Sequence, residues 1–362
     1  MAERAYNFGA GPCTLPLEAL EEAQAEFLDF QNTGMSVIEL SHRSSEYDAV
    51  HVEALELIKE IYHTPDDFDV LFIQGGATMQ FSMVPMNLMH PGKKAAFSAC
   101  GAWANKAMKE SKIFGDVYAA WDGKSCKYTR MPMSNDYDLQ DNTSYLHITS
   151  NETIDGVRMI EWPEVDVPLV GDMSSDFLTR PIPWEKFDLI YGGAQKNCGP
   201  SGLAIVFVKK AILENTRKDI GSYFRYDLHQ RNKSLLNTPA IFPIYLMNKV
   251  LKWVKGNGGI EKMGEMAEQK ANLIYQTIDN SDNYYLCPVE KKFRSIMNIV
   301  FRLPNEELEA KFISEATANR IIGLKGHRVV GGCRASCYNA MTVEAVNKLV
   351  SFMNAFRASN SI

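Results

Sequence analysis

The chain has 362 residues and a formal net charge of −6, with 46% hydrophobic and 23% charged residues. This balance is typical of a folded protein of about two domains, and it excludes disorder as the main state. The net negative charge argues against a general nucleic-acid binder. The longest strongly apolar run, Leu203–Val208, is far shorter than the roughly 18 residues of a membrane span. Because the first residues contain no apolar signal segment, the sequence predicts a cytoplasmic protein without membrane association.

The cysteines do not suggest a disulfide framework or a metal site. There are seven, an odd number, and none of them forms a C-x-x-C pair. We interpret them as reduced residues that mostly pack in the interior. No bound metal is predicted.

Helix-like and strand-like segments alternate through the first two thirds of the chain. Apolar residues at helical spacing predict helices, and short apolar runs predict buried strands. The predicted helices span 17–30, 49–62, 78–89 and 103–112, and the predicted strands span 69–73, 95–97, 145–149, 167–170, 189–191 and 203–208. This alternation indicates an α/β fold with a largely parallel sheet.

The last third has fewer predicted strands. Its predicted helices span 245–255, 260–278, 306–318 and 342–357, and its predicted strands span 297–303 and 328–330. A glycine cluster at 256–259 suggests a boundary. We therefore predict a large domain over 16–257 and a smaller domain over 258–362, which also includes the N-terminal arm 1–15.

Lys196 stands at the centre of a loop of small residues between two apolar runs. Most lysines are solvated surface charges, but these flanking runs are typical of buried strands, and glycines let other groups approach the backbone. A lysine in such a pocket can lose its proton and form a Schiff base with an aldehyde. From the local sequence alone, a structural or phosphate-binding lysine is the more common alternative.

An acid follows the preceding predicted strand. Asp172 has the ordinary interpretation of a turn cap through Ser174 or Ser175. The alternative is a carboxylate at a strand's carboxyl end, where open α/β sheets bind their ligands. An acid and a lysine at the ends of neighbouring strands are what pyridoxal phosphate requires, because the acid keeps the ring nitrogen protonated and the lysine holds the aldehyde.

Two further features suit such a cofactor without being specific to it. The segment 73–80 passes from a strand through Gly75 and Gly76 into a helix, and free N–H groups at a helix start bind anions. A plain connection between strand and helix is the alternative. Trp103 follows another strand-end glycine and can stack on a flat ring, although core packing is its more common role.

Taken together, these residues resemble the phosphoserine aminotransferases, a family of class-V, fold-type-I pyridoxal-phosphate enzymes. The resemblance extends over nearly the whole chain, and its most specific motifs are NETIDG and KGHRVVGG. The matching segments are 7–12, 41–43, 75–76 with 80–81, 151–156, 193–197, 237–239, 324–332 and 334–336. The resemblance implies a large domain with a mostly parallel seven-stranded sheet and a smaller α+β C-terminal domain.

The resemblance also implies one pyridoxal 5'-phosphate per subunit, with Lys196 as the Schiff-base lysine and Asp172 as the partner of the ring nitrogen. By the same resemblance, Trp103 stacks on the ring and Thr153 contacts the phenolic oxygen. The cofactor phosphate is bound by Ala77, Thr78 and Gln195, and from the other subunit by Asn237 and Thr238. A homodimer with shared active sites follows from the last pair. Some relatives carry a glycine and an arginine at the positions of Ala77 and Thr78, so a charged phosphate contact is lost here.

A phosphorylated amino acid offers two anions, for which arginine is well suited. Two His-Arg dipeptides and one further arginine are candidates, although exposed charge is the usual role of arginine. The resemblance makes Arg334 the anchor of the α-carboxylate. It assigns the substrate phosphate, or the distal carboxylate of glutamate, to His42, Arg43, His327 and Arg328.

The implied reaction is a ping-pong transfer of the amino group from glutamate to 3-phosphooxypyruvate in serine biosynthesis, with Lys196 moving the proton. Some relatives also act on a phosphorylated hydroxythreonine in vitamin B6 synthesis, and the sequence leaves this open for the chain. An alanine–glyoxylate aminotransferase or a cysteine desulfurase is disfavoured by the two His-Arg dipeptides. Arg334 disfavours a non-catalytic cofactor carrier, and a nicotinamide dehydrogenase needs a glycine fingerprint that the sequence lacks.

Overall fold

The structure is a computed structural model that describes residues 4–360. Within these residues there are thirteen strands: β1 (Tyr6–Asn7), β2 (Phe68–Gln74), β3 (Lys94–Ala99), β4 (Asp116–Asp122), β5 (Thr143–Thr149), β6 (Asn151–Glu152), β7 (Val157–Arg158), β8 (Leu169–Asp172), β9 (Leu189–Gly193), β10 (Leu203–Lys209), β11 (Asn298–Phe301), β12 (Ile321–Ile322) and β13 (Cys333–Ser336). The same residues form ten α-helices: α1 (Leu17–Glu26), α2 (Ser45–Ile61), α3 (Gly76–Leu88), α4 (Ala102–Ser111), α5 (Lys210–Glu214), α6 (Tyr226–Arg231), α7 (Ile241–Gly256), α8 (Gly259–Asp279), α9 (Glu306–Ala318) and α10 (Val343–Ser359).

Seven strands form the central sheet, in the order β2-β10-β9-β8-β5-β3-β4. Strand β10 is antiparallel to both of its neighbours, and the other four pairings are parallel. Six strands therefore run in the same direction and end at one edge of the sheet. This confirms the predicted α/β fold with a mostly parallel seven-stranded sheet.

Helices cover both faces of this sheet. Along β5, Leu146 and Ile148 belong to the core that lies against α2 and α7, whereas Tyr145 belongs to the core that lies against α3 and α4. Strand side chains alternate between two faces, so the continuous apolar runs of the sequence are explained by burial on both sides. The result is a three-layer arrangement whose carboxyl edge stays accessible to ligands.

A second core forms where β11 and β13 pair in antiparallel fashion and pack with α8, α9 and α10. The N-terminal arm joins this core through the parallel pairing of β1 with β12 and through the buried Phe8. Helix α8 serves both cores, because Ile260 and Met263 lie in the sheet core while Ile274 lies in the second core. The division of the chain near 257 remains a prediction, and its outer bounds, residues 1 and 362, lie outside the described residues.

Polar caps explain why several helix starts are predictable from sequence. Ser44 begins α2 by accepting the N–H of Tyr47 at 3.3 Å, and Asn305 begins α9 by accepting the N–H of Leu308 at 2.9 Å. Helices α3 and α4 differ, because their cap positions are the glycines 75 and 101. Their first N–H groups are therefore left for partners from elsewhere.

The differences between the sequence predictions and the structure include a misplaced strand, a missed strand and an early helix end. The predicted strand 328–330 is wrong: these residues form an exposed turn, in which the N–H groups of Val330 and Gly331 donate to the carbonyl of His327 at 3.0 and 2.8 Å. The strand in this region is β13. Strand β4 was missed because it lies at the sheet edge and is mostly not buried. Helix α1 ends at Glu26, four residues before the predicted end.

Between residues 4 and 360, none of the helices has both the length and the apolar character needed to cross a membrane. In the same part of the chain, no cluster of three or more His, Cys, Asp or Glu side chains is arranged to hold a metal ion.

Candidate active site

Most of the predicted cofactor residues come together at the carboxyl edge of the central sheet. Strand β8 ends at Asp172, and the loop after β9 carries Lys196. The register between these parallel neighbours sets Asp172 beside Tyr191. Strands β2 and β3 lead at the same edge into α3 and α4, so four connections meet around one point.

Lys196 is buried, with 7% of its surface exposed. Its Nζ donates to Oγ1 of Thr153 at 2.5 Å and lies 5.9 Å from the ring centre of Trp103. Burial lowers the pKa of Lys196 to about 8, and the nearby Arg334 charge acts in the same direction, while Asp172 and Glu152 oppose it. A substantial neutral fraction of this amine near physiological pH is the first requirement of a Schiff-base lysine.

Asp172 is also buried, and its Oδ1 accepts two hydrogen bonds from Ser174, at 2.9 Å from the backbone N–H and at 2.6 Å from the hydroxyl. Burial raises the pKa of Asp172, whereas the bonds from Ser174 and the Lys196 charge lower it. The Ser174 turn that the sequence offered as an alternative is therefore present. It orients the carboxylate rather than replacing its role at the cavity.

One cavity contains most of the predicted cofactor residues. The predicted residues that line it are Ala77, Thr78, Trp103, Thr153, Asp172, Gln195 and Lys196. The lining residues that sequence reasoning missed as site residues are Phe81, Thr149, Asn151, Ser174 and Ser175. A usable signal existed for three of these, because Thr149 is the last residue of β5 and the two serines follow the end of β8. Strand ends at this edge are the expected place for ligand contacts.

The start of α3 lines one side of this cavity. Gly75 precedes the helix with φ of 99°, and a Cβ at this position would lie 2.8 Å from Cβ of Met79. Glycine is therefore required both by backbone conformation and by space. Ala77 and Thr78 lie in the first helical turn, whose N–H groups have no acceptor within the helix.

Arg334 lies next to the cavity on β13. Its Nη1 donates to the carbonyl oxygen of Thr153 at 3.2 Å, and its buried Nε has no hydrogen-bond partner among residues 4–360. Thr153 thus contacts the lysine through its hydroxyl and the arginine through its backbone. A guanidinium with an unused buried donor beside the lysine is suited to a carboxylate ligand.

The remaining predicted residues do not line this cavity within the protomer. Asn237 and Thr238 are exposed before α7, and the carbonyl of Thr238 accepts the side chain of Gln74 at 2.7 Å. Arg43 and Arg328 are exposed and form no ion pair among residues 4–360. Their neighbours His42 and His327 are half-buried, and burial together with Arg334 and Arg328 lowers the pKa of His327.

The donor set of the cavity fits pyridoxal phosphate. It provides an amine, an acid, an aromatic ring and the start of a helix at one sheet edge. Two buried polar atoms in the lining, Oγ1 of Thr149 and Nε1 of Trp103, have no hydrogen-bond partner within the described part of the chain. Such atoms are rare in folded proteins unless a ligand or water satisfies them.

Comparison with known proteins agrees with this chemistry. The family model for aminotransferase class-V matches residues 5–349, so the chain belongs to this family of pyridoxal-phosphate-dependent transaminases. Many similar proteins are phosphoserine aminotransferases. One from Geobacillus kaustophilus is 50% identical over 355 residues, which cover 98% of this chain and 99% of the relative.

Solved structures give the same result. A phosphoserine aminotransferase from Bacillus circulans subsp. alkalophilus has a TM-score of 0.97 and 48% identity, with 99% of each chain covered. A phosphoserine aminotransferase from Trichomonas vaginalis, described with PLP bound, has a TM-score of 0.92 and 37% identity, covering 97% of this chain and 100% of its own. The predicted family and fold class are thereby confirmed.

Proposed function

We propose that the chain transfers the amino group of L-glutamate to 3-phosphooxypyruvate, forming O-phospho-L-serine and 2-oxoglutarate by a ping-pong mechanism. The observation that carries this proposal is the arrangement around Thr153, whose hydroxyl contacts Lys196 and whose carbonyl contacts Arg334. It sets a group for proton transfer beside a group for carboxylate binding. The names of the relatives, which match the chain at full length, support the same reaction.

We further propose one pyridoxal phosphate per subunit, held through Lys196. When bound, the cofactor supplies an aldehyde that carries the amino group and a ring that accepts charge from the α-carbon. Asp172 would keep the ring nitrogen protonated, and the indole of Trp103 would contact the ring. Thr153 would donate its hydroxyl to the phenolic oxygen, and the start of α3 with Gln195 would hold the phosphate.

The proton is moved by Nζ of Lys196 at the α-carbon of glutamate. With a pKa of about 8, about one tenth of this amine is neutral at pH 7. A solvated lysine would be neutral at the level of about one part in 2000. Burial therefore gives Lys196 its basic form, and Thr153 fixes the direction of its nitrogen.

The two anions of a substrate need separate sites. We assign the α-carboxylate to Arg334, which is half-buried at the cavity. We assign the substrate phosphate, or the distal carboxylate of glutamate, to His42, Arg43, His327 and Arg328. These residues lie outside the cavity lining of one protomer, so we propose that a homodimer completes the site.

Exposed apolar residues support the dimer. Leu28, Met35 and Ile38 expose 81%, 44% and 51% of their surface, and all three precede Arg43 in one segment. Clustered exposed apolar residues mark association surfaces in soluble proteins. In the proposed dimer, the exposed Asn237 and Thr238 reach the cofactor phosphate of the partner's cavity. The cytoplasmic location stays a prediction.

A coupled assay with phosphoserine and 2-oxoglutarate on the purified holoenzyme tests the reaction. We expect kcat/KM for phosphoserine to exceed that for serine by at least about 100-fold, because the charge-assisted contacts of the phosphate are absent with serine. Arg328→Ala should reduce that preference by lowering kcat/KM for phosphoserine much more than kcat/KM for serine, which in a ping-pong reaction does not depend on the acceptor half-reaction. Equal kcat/KM for both amino acids would contradict the proposed phosphate site, and a phosphorylated hydroxythreonine in the same assay decides the open vitamin B6 question.

Complementation tests the shared sites. Lys196→Ala and Asn237→Ala chains, each weakly active alone, are mixed, dissociated and reassociated. In a mixed dimer one site carries both substitutions and the other carries neither, so activity should recover to about a quarter of wild type for random pairing. Reassociated homodimers of each variant are the control. No recovery in mixtures shown by mass to contain heterodimers would exclude sharing through Asn237.

A further inference from the structure

The hairpin of β6 and β7 belongs to the NETIDG motif, of which the proposed function uses only Thr153. Its neighbour Glu152 is completely buried, with 0% of its surface exposed. A buried carboxylate is costly unless it is well paired. Glu152 forms no ion pair among residues 4–360, so its partners lie elsewhere.

Those partners are the first N–H groups of α4. The N–H of Trp103 donates to Oε2 of Glu152 at 3.0 Å, and the N–H of Ala104 donates to Oε1 at 2.7 Å. Asp155, from the same hairpin, accepts the N–H of Ala102 at 2.8 Å. Three consecutive donors of the helix start are thus bound by two carboxylates from about 50 residues further along the chain.

The sequence of α4 makes this external capping necessary. Its own cap position is Gly101, which has no side chain to accept an N–H. The glycine is required there, because a Cβ would lie 2.5 Å from Cδ of Glu152 and 2.7 Å from Oδ2 of Asp155. The helix start and the hairpin therefore fit each other closely, and the two carboxyl groups lie at the positive end of the helix dipole.

The second residue of this helix is Trp103, the indole of the cofactor cavity. The residue after Glu152 is Thr153, whose hydroxyl contacts Nζ of Lys196. Glu152 consequently links the start of α4, which carries the indole of Trp103, to the hairpin, which carries Thr153. Burial, with the nearby Asp155 carboxylate, raises the pKa of Glu152, so ionising this acid in the folded protein costs free energy.

We propose that Glu152 is a positioning residue that, with Asp155, fixes the start of α4 on the hairpin and so sets the indole of Trp103 over the cofactor ring. This inference rests on the proposed cofactor site. The role is new because Glu152 itself contacts neither the substrate nor the cofactor. Loss of the clamp should let the helix start move away from Lys196, and a misplacement of about 1 Å at a reacting centre lowers rates by up to about 100-fold.

The test compares Glu152→Ala with Asn305→Ala. Asn305 caps α9, far along the chain in the second core, so its loss removes a helix cap without touching the cavity. Apoprotein of each variant is titrated with pyridoxal phosphate, and the visible circular dichroism of the bound cofactor is recorded, since it reports the orientation of the ring. We expect Glu152→Ala to raise Kd at least about tenfold and to alter the dichroic band, with Asn305→Ala within about twofold of wild type.

Two further variants make the result robust. Where Glu152→Ala does not fold, Glu152→Gln retains one acceptor and should show an intermediate Kd and dichroic band. Gly101→Ala should reproduce the defect from the opposite side by displacing Glu152. Wild-type Kd and dichroism in folded Glu152→Ala or Glu152→Gln, or an equal loss in Asn305→Ala, would overturn the proposal. Failure of the wild-type protein to bind pyridoxal phosphate would instead overturn the proposed function.

Discussion

Two lysines of this protein, Lys196 and Lys270, are alike in burial and differ in everything around them. Both have a pKa that burial lowers to about 8. Lys270 lies on α8 and donates to the carbonyl oxygens of Tyr338 at 2.7 Å and Met341 at 3.0 Å. Lys196 instead donates to the hydroxyl of Thr153 inside the cavity.

The difference shows that a low pKa does not by itself define a reactive lysine. After burial, the groups that act on the pKa of Lys270 are two thiols, Cys337 and Cys13, while those acting on Lys196 begin with Asp172. The hydrogen bonds of Lys270 connect α8 to the loop before α10. Reactivity needs, in addition, a cavity that admits a ligand and a second group that acts on that ligand.

The largest expected effect is the loss of Lys196. Lys196→Ala should lower kcat at least about 10⁴-fold, because it removes both the covalent anchor and the group that moves the proton. The cofactor's absorbance band should shift to that of non-covalently held aldehyde. Lys270→Met is the matched control and should keep the band and at least half of the activity. Near-normal turnover in Lys196→Ala would refute the assignment.

The next largest effect concerns Asp172, the acid near Lys196 that has no counterpart beside Lys270. Asp172→Asn preserves shape and can still accept hydrogen bonds from Ser174, but it carries no charge to hold a proton on the ring nitrogen. We expect kcat to fall by about 100-fold, with KM changed much less. Steady-state kinetics with phosphoserine measure this, and Ser174→Ala, which keeps the charge, should cost less than about tenfold. Comparable losses in both variants would mean that orientation matters rather than charge.

The rate at which pyridoxal phosphate couples to the protein should depend on pH through Lys196 alone, although Lys270 has the same pKa. The neutral fraction of Lys196 rises tenfold per pH unit below about 8, so the rate of coupling to pyridoxal phosphate should rise about 50-fold from pH 6 to pH 8. Above that it should rise less than about twofold. A free lysine derivative, whose rate keeps rising to about pH 10, is the control. Borohydride reduction and peptide mass mapping should find the label on Lys196 and none on Lys270.

The sequence predicted the sheet well because its strands are buried on both faces and therefore appear as unbroken apolar runs. It missed β4, whose edge position leaves no such run, and it misplaced the strand near 328–330, where two glycines with φ of 68° follow a tight turn. Exposed valines in that turn, such as Val329 at 73% exposure, imitate a strand in composition.

For the site, local sequence indicated Lys196 and Asp172 because strand ends carry them, and the family resemblance added the rest. Neither could reveal Glu152, because its partners are backbone N–H groups that have no signature in the sequence. The hydrogen bonds to Trp103 and Ala104 exist only once the hairpin meets α4. Contacts to backbone from distant segments are the part of a site that needs coordinates.

The smallest expected effect is one in which the two lysines should behave alike. Each has a pKa of about 8 in the fold and an ordinary value near 10.5 when unfolded, so the unfolded chain binds more protons between these values. Stability of the apoprotein should therefore rise with pH in that range. Between pH 7 and pH 10 each lysine should contribute roughly 2 to 3 kcal/mol of this rise.

Chemical denaturation of apoprotein at both pH values, for wild type, Lys196→Met and Lys270→Met, measures it. Each single variant should lose its share of the rise, and the double variant should lose both shares, because the sites are separate. Wild type and variants with parallel stability profiles would mean that the two amines stay protonated when buried. The two lysines should contribute equally to the rise in stability, although only Lys196 reacts with the cofactor. That result would establish that burial sets the proton affinity of both lysines, while the cavity, Thr153 and Asp172 make only Lys196 reactive.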